Sequence, residues 1–289
     1  MSSQPLADAG AADQPPVTEN RATLWAAEAL LVVLALSVLV PLILMVGSAF
    51  KPAQEMYSPI PWPKKPTLDN FRTLFDAMPF GAYLWNSIAT SALRVAGQLL
   101  TSIMAAYVFA RYTFFGSNTL FLAVLGAMMI PHQLTMIPIY LLVVNLGWYD
   151  TFLGLIVPNL AAPFGIFLLR QHIRAIPNEI LDAAVVDGAN NWQTMWHVVL
   201  PMVRPAIAAL TIILFIDCWN EYFWPMLITN TERSTTVQLG LRRFVDGEGG
   251  DAFGPLMAGM ILASLPIFAL FFFFQRKLFD TFAQSGVKG

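Results

Sequence analysis

Residues 176–205, IPNEILDAAVVDGANNWQTMWHVVLPMVRP, form a polar hairpin between two apolar stretches, and the chain is organised around it. Pro177 suits a first helical position, and Glu179 and Asp182 fall in the first turn, where the helix dipole favours acids. Ala183, Ala184, Val185 and Val186 carry the helix on. Gly188, just past Asp187, supplies the permissive backbone with which helices commonly end. Asn190 or Asn191 is placed to cap a second short helix, predicted over residues 192–200 and stopped at Pro201. Small alanines on one face and Trp192 and Trp196 on the next make a compact docking knob. An ordinary amphipathic loop between membrane helices is the other reading of the same residues.

Composition sets the compartment. The 289 residues are 57% hydrophobic and 12% charged, whereas a soluble domain carries roughly twice that charged share. A net charge of −2 points to neither nucleic acid nor a strongly acidic partner. The one cysteine, Cys218, excludes an intramolecular disulfide and a CxxC site. His132, His172 and His197 stand at no metal-ligand spacing, and no GxGxxG, GxxxxGK[ST], GxSxG or HExxH occurs. The sequence therefore reads as an all-α integral membrane protein and not as a self-contained enzyme.

Taken in order, residues 1–23 are small, acidic and rich in Pro and Ala, the composition of a disordered segment. They lack the basic n-region of a signal peptide. Six apolar segments follow, each near the roughly 20 residues that cross a bilayer. They are predicted at 25–46, 85–110, 119–144, 151–169, 206–228 and 253–274. The first lies in a unit 24–50, an external loop covers 51–83, a five-helix core runs over 84–275, and a tail occupies 276–289. Pro131, Pro138, Pro158 and Pro163 lie inside spans three and four, where kinks are tolerated if neighbours satisfy the freed backbone. The loop 51–83 carries SPIPWPKKPTLDNF and reads either as a structured cap or as an extended linker.

With both termini inside, eight bases face the cytoplasm and seven face outward. Most of the outer ones lie in the two longest loops, which weigh least, whereas Arg111, Arg170, Arg174, Arg276 and Lys277 lie close to span ends. Termini inside is the better orientation, and it places the 176–205 hairpin in the cytoplasm.

Ionisable groups within spans are costly and by default mark function. Arg94 falls midway along span two. Asp217 and Glu221, four residues apart in span five, are expected on one helical face, with Asn220 and Trp219 beside them. Such a pair must meet water, share a proton or find a base such as Arg94. A polar lining for hydroxyl-rich solutes and a structural clasp between helices both fit. The aromatics Trp219, Tyr222, Phe223 and Trp224 suit sugar stacking or a membrane-interface belt.

The hairpin's Asp182-Ala183-Ala184, three residues, Gly188, nine residues, Val198-x-Leu200-Pro201 resembles the EAA loop of ABC importer permeases, with Asp for Glu and Val for Ile. Beyond it, MIPHQLTMIPIYLLVVNLGWYDT (129–151), PFGIFLLRQHIRAIPNEI (163–180), WNEYFWPML (219–227) and the ending AQSGVKG (283–289) resemble the second permease of carbohydrate importers of the maltose and glycerol-3-phosphate type. The similarity runs from about residue 80 to 289, and the N-terminal fifth adds only SAFKP (48–52).

The resemblance implies a type I ABC importer fold with six membrane helices and a cytoplasmic coupling helix. It assigns Glu179, Asp182, Ala183, Ala184, Asp187, Gly188, Trp192, Leu200 and Pro201 to ATPase coupling. Ser285, Gly286, Val287, Lys288 and Gly289 become an ATPase-interface tail. It further implies a second homologous permease, two ATP-binding subunits that carry the ATP and Mg, and an extracytoplasmic solute-binding protein, all at a bacterial or archaeal cytoplasmic membrane. No cofactor or metal is expected on this chain. Arg94, Asp217, Trp219, Asn220 and Glu221 are the pathway candidates. The alternative is an ion-coupled secondary transporter or channel using Arg94, Asp217 and Glu221.

Overall fold

Proline and the few polar residues of an apolar chain decide where its helices start, bend and stop. The computed structural model describes residues 21–246 and 252–286, and every regular element among them is helical. Two units are present, one ending at Leu44 and the other beginning at Met45. The first contains most of helix α1 (Arg21–Ala49), which carries Pro41 in its interior and exposes Leu, Val and Ile side chains on all faces.

In the second unit, residues 51–83 carry short helical elements and do not run as one extended segment. A 3-10 turn (Ala53–Glu55) leads to α2 (Asp69–Ala77). Asn70 Nδ2 lies 2.9 Å from the Ala49 carbonyl and 2.8 Å from that of Lys51, so it ties off the end of α1. Lys51 is buried and donates from Nζ to the Ser58 carbonyl.

Helix α3 (Phe80–Arg111) runs unbroken, whereas expected spans three, four and five are each broken. Span three is α4 (Ser117–Met128) and α5 (His132–Asn145), bent by 100° at Pro131. Span four is α6 (Phe152–Ile156), extended by a 3-10 turn to Asn159, and α7 (Pro163–Arg174), bent by 44°. After α8 (Asn178–Val186), α9 (Asn191–Met202) runs at 78° into α10 (Arg204–Asn220). Expected span five, 206–228, is α10 and short α11 (Phe223–Ile228), interrupted at Glu221 and Tyr222, and α12 (Val237–Asp246) and α13 (Phe253–Gly286) complete the order. The described residues thus hold three helices long and apolar enough to cross a membrane and three bent pairs, a total of six where each pair crosses as one.

What makes the breaks tolerable is a polar stripe on α3. Asn86, Ser87, Thr90, Ser91, Arg94, Gln98 and Ser102 recur at helical spacing and are all buried. Gln98 Nε2 donates to the Asn159 carbonyl at 2.8 Å, and Thr101 Oγ1 to that of Leu160 at 2.8 Å, which covers groups freed at the α6–α7 bend. Asn86 Nδ2 donates to the carbonyls of Arg233 and Thr235, and Ser87 Oγ accepts from Val237 N, which fixes the segment before α12. In an apolar surround each orphaned backbone group is expensive, so these side chains stabilise irregular backbone that lipid would not. Gly165 completes the fit: a Cβ there would lie 2.5 Å from Ser102 Oγ, so only glycine lets α7 approach α3 this closely.

Three apolar clusters surround this axis. The largest joins Ile103, Ala106 and Tyr107 of α3 to Leu169 of α7, Met195 and Val199 of α9, and Leu210 of α10. A second joins α2, α3, α10, α12 and α13 around Leu74, Tyr83, Trp219 and Leu241. A smaller one holds Val143, Leu155, Trp224 and Ile228.

Candidate functional site

The hairpin follows its residues with three departures: Pro177 is the N-cap of α8 and not its first residue, Glu179 but not Asp182 lies in the first turn, and Pro201 lies within α9. Gly188 adopts φ +82, with its amide bonded to the Val185 carbonyl and that of Ala189 to Ala184, a Schellman ending for α8. Asn190 caps α9: its side chain accepts from Gln193 N at 2.9 Å, while Gln193 Oε1 accepts from Asn190 N at 2.8 Å. Pro201 does not stop this helix. Residues Thr194–Val199 form a π turn, and the helix passes Pro201 to end at Met202. The wider turn bonds i to i+5, so the missing proline amide falls where the ladder is already displaced.

Glu179, Asp182, Ala183, Asp187, Gly188 and Trp192 are exposed, Pro201 is half-buried, and Ala184 and Leu200 face the core. Amid the acids stands an apolar patch: Val185, Val186 at 86% exposure, Trp192 at 57% and Trp196, the two indoles 5.6 Å apart. The inner side is clamped to the bundle. Arg111, the last residue of α3, donates from Nη2 to the carbonyls of Ile173 (2.6 Å) and Ile176 (3.2 Å) and from Nη1 to Asn178 Oδ1 (3.1 Å). Tyr107 Oη donates to the Asn191 carbonyl at 3.2 Å. The hairpin is thereby hydrogen-bonded to the C-terminal end of α3, which also holds the end of α7.

The pathway candidates separate. Asp217 and Glu221 differ in setting, because α10 ends at Asn220 and Glu221, its C-cap, turns the chain into extended backbone (φ −64, ψ 122). There Glu221 Oε1 accepts from Trp224 N at 3.3 Å, capping α11. Asp217 and Asn220 are exposed. Trp219 is 2% exposed, stacks on Phe215 and donates from Nε1 to the Ala263 carbonyl at 3.1 Å, so it joins α10 to α13 and offers no ring face to a solute. Arg94 and Glu221 both line a small recess that Thr90, Ser91, Cys218, Trp224 and Thr236 also line. Among the described residues Arg94 makes no ion pair. Thr236, absent from the sequence candidates, carries no signal beyond a hydroxyl in a loop. Of the expected tail, α13 reaches Gly286, and Val287, Lys288 and Gly289 lie outside the described residues, as do residues 1–20.

An intact axis helix, bent pairs around it and an exposed hairpin leave the lineage to comparison. The family of binding-protein-dependent transport system inner membrane components matches residues 98–282. The chain belongs to that family. It is 33% identical over 254 residues to the arabinooligosaccharides transport system permease protein AraQ of Halalkalibacterium halodurans, covering 86% of this chain and 91% of that protein. It is 34% identical over 194 residues to the sn-glycerol-3-phosphate transport system permease protein UgpE of Brucella abortus, covering 67% and 69%. The crystal structure of a bacterial ABC transporter involved in the import of the acidic polysaccharide alginate shares the fold, with a TM-score of 0.80 at 22% identity over 89% of this chain and 96% of that one. As an inner-membrane component of this family, the chain is a non-catalytic transport subunit. Membership leaves the ion-coupled alternative without support.

Proposed function

We propose that this permease forms half of the translocation path of an ATP-driven sugar importer and couples to a separate ATP-hydrolysing subunit through the α8–α9 hairpin. The observation that carries the coupling is the apolar patch of Val185, Val186, Trp192 and Trp196, open on one side and clamped to α3 by Arg111 and Tyr107 on the other. Exposed valines and indoles rimmed by acids match the apolar core and polar rim of a protein interface. The sugar class draws on relatives named for arabinooligosaccharides, diacetylchitobiose and lactose.

In this reading both termini are cytoplasmic, a second related permease completes the path, and an extracytoplasmic solute-binding protein delivers the sugar. Two ATP-binding subunits hold the ATP and Mg. Their closure moves the hairpin, and the clamp converts that movement into rigid-body tilting of the bundle between outward- and inward-open states. The tail from Ser285 to Gly289 adds a second contact with the ATPase.

Affinity purification of this chain from its native membrane in mild detergent is expected to bring down a second permease and an ATP-binding subunit. Val186→Asp, on an exposed side chain, is expected to insert normally and lose the ATPase. Wild-type recovery of the ATPase with Val186→Asp would remove the hairpin from the interface.

A further inference from the structure

Two of the side chains that line the recess beside Arg94 each carry a buried polar atom without a hydrogen bond, Arg94 Nε and Thr236 Oγ1. Their side chains come from α3 and from the segment before α12, and the residues are 9% and 6% exposed. A buried donor left unpaired is costly, and a guanidinium more so. Two such under-satisfied side chains lining one recess point to a polar occupant between them.

The lining restricts what that occupant is. Arg94 only donates, Thr236 donates or accepts, and the Glu221 carboxylate only accepts. An anionic group would meet Glu221, and a cation would meet Arg94. A neutral hydroxyl accepts from the guanidinium and donates to the carboxylate in the same pose. The free space suits a water-sized group, and Leu155, Trp224 and Pro225 supply apolar wall. The recess therefore fits a hydroxyl projecting from a larger molecule, not a whole sugar ring.

We infer that Arg94 and Thr236, with Glu221 in the same lining, form a subsite for a hydroxyl of a neutral sugar in transit, so that this permease takes part in selecting the solute. The inference rests on the sugar-importer reading above. It discriminates against a phosphate ester, whose charge Glu221 repels.

Cys218, the chain's one cysteine, lines the recess and reports on its occupancy. In membrane vesicles carrying the complete importer and its binding protein, labelling of this subunit by N-ethylmaleimide is followed with a panel of neutral sugars and with sn-glycerol 3-phosphate. The sugar that the vesicles accumulate is expected to slow labelling, and the phosphate ester to leave it unchanged. Arg94→Gln and Thr236→Val are each expected to raise the sugar concentration for half-protection by roughly tenfold. Accumulation of a sugar that never protects wild-type Cys218 overturns the subsite and leaves the importer reading standing. Protection by ATP without sugar reports closure instead of occupancy and also overturns it. Vesicles that accumulate no sugar overturn the importer reading and this inference with it.

Discussion

Tyr107 and Asn191 are 84 residues apart in sequence and joined by one hydrogen bond, from the phenol of α3 to the carbonyl that opens α9. The bond sits where the bundle meets the hairpin, next to the Arg111 clamp, and makes the start of α9 an extension of α3.

Tyr107→Phe removes that bond and retains the edge contact with Tyr112, whose ring lies 5.9 Å away. A loss of about 1 kcal/mol is expected. Amide exchange should accelerate at the start of α9 and stay unchanged in the middle of α3. Uniform acceleration across α3 would show instead that the ring's packing had been disturbed.

Asp150, in the turn between α5 and α6, adopts φ 58 and gathers the segment after α11: Oδ1 accepts from the amides of Asn230 and Thr231 and from the hydroxyl of Ser234. Burial pushes its carboxyl up, but these bonds outweigh burial and hold it at about 2, below the ordinary 3.8. The stability it contributes is complete above the unfolded value and is lost as pH falls from about 4 toward 2. Asp150→Asn tolerates the left-handed backbone and so isolates the charge. Its melting temperature in detergent should lie below wild type at neutral pH, and the gap should close in acid. A gap independent of pH would dismiss the carboxylate.

At Gly188 a Cβ would meet nothing within 4 Å. Gly188→Ala should therefore cost only the left-handed backbone, about 1–2 kcal/mol. Limited proteolysis between α8 and α9 should rise, and Gly188→Asn should show a smaller rise. Equal effects of alanine and asparagine would contradict a purely conformational cost.

Trp219 bridges α10 and α13 from within the core, so Trp219→Phe loses the bond to the Ala263 carbonyl and some volume, whereas Trp219→Ala opens a cavity. Alanine is expected to cost about 3–5 kcal/mol and phenylalanine clearly less. Thermal unfolding in detergent orders the two. An alanine variant as stable as wild type would mean that the site is not packed as described.

Much of the hairpin was legible because its signals are local. Gly188 ends α8, and Asn190 with Gln193 forms a box that four consecutive residues specify. The spans were legible as apolar lengths, but not as shapes. Pro131 marks a break, whereas the 100° angle comes from how α4 and α5 pack elsewhere. Asp217 and Glu221 look alike as a pair four residues apart, but α10 stops before Glu221, which caps the next short helix, while Asp217 stays exposed on α10. Trp219 looked like a stacking platform because a tryptophan's burial depends on what packs over it. The α3 stripe was half visible: Arg94 stood out as a charge, while Gln98, Ser102 and Asn86 show their use only against the broken backbone they serve.

The π turn at Thr194–Val199 gives the hairpin a surplus residue. Trp192, Trp196 and Leu200 recur every four positions, and a regular α-helix would stack them on one side. Here the indoles look outward and Leu200 inward. The wide turn stores one residue's worth of angular phase. Loss of a single residue between 194 and 199 would restore ordinary winding and leave the flanks facing as they do, because five α residues turn the chain about as far as six π residues. A deletion elsewhere in α9 has no such surplus to draw on and would swing everything on one side of it by about 100°. Either the indoles or Leu200 and Val203 would then face the wrong environment. The wide turn is where the hairpin can lose a codon without exchanging inside for outside.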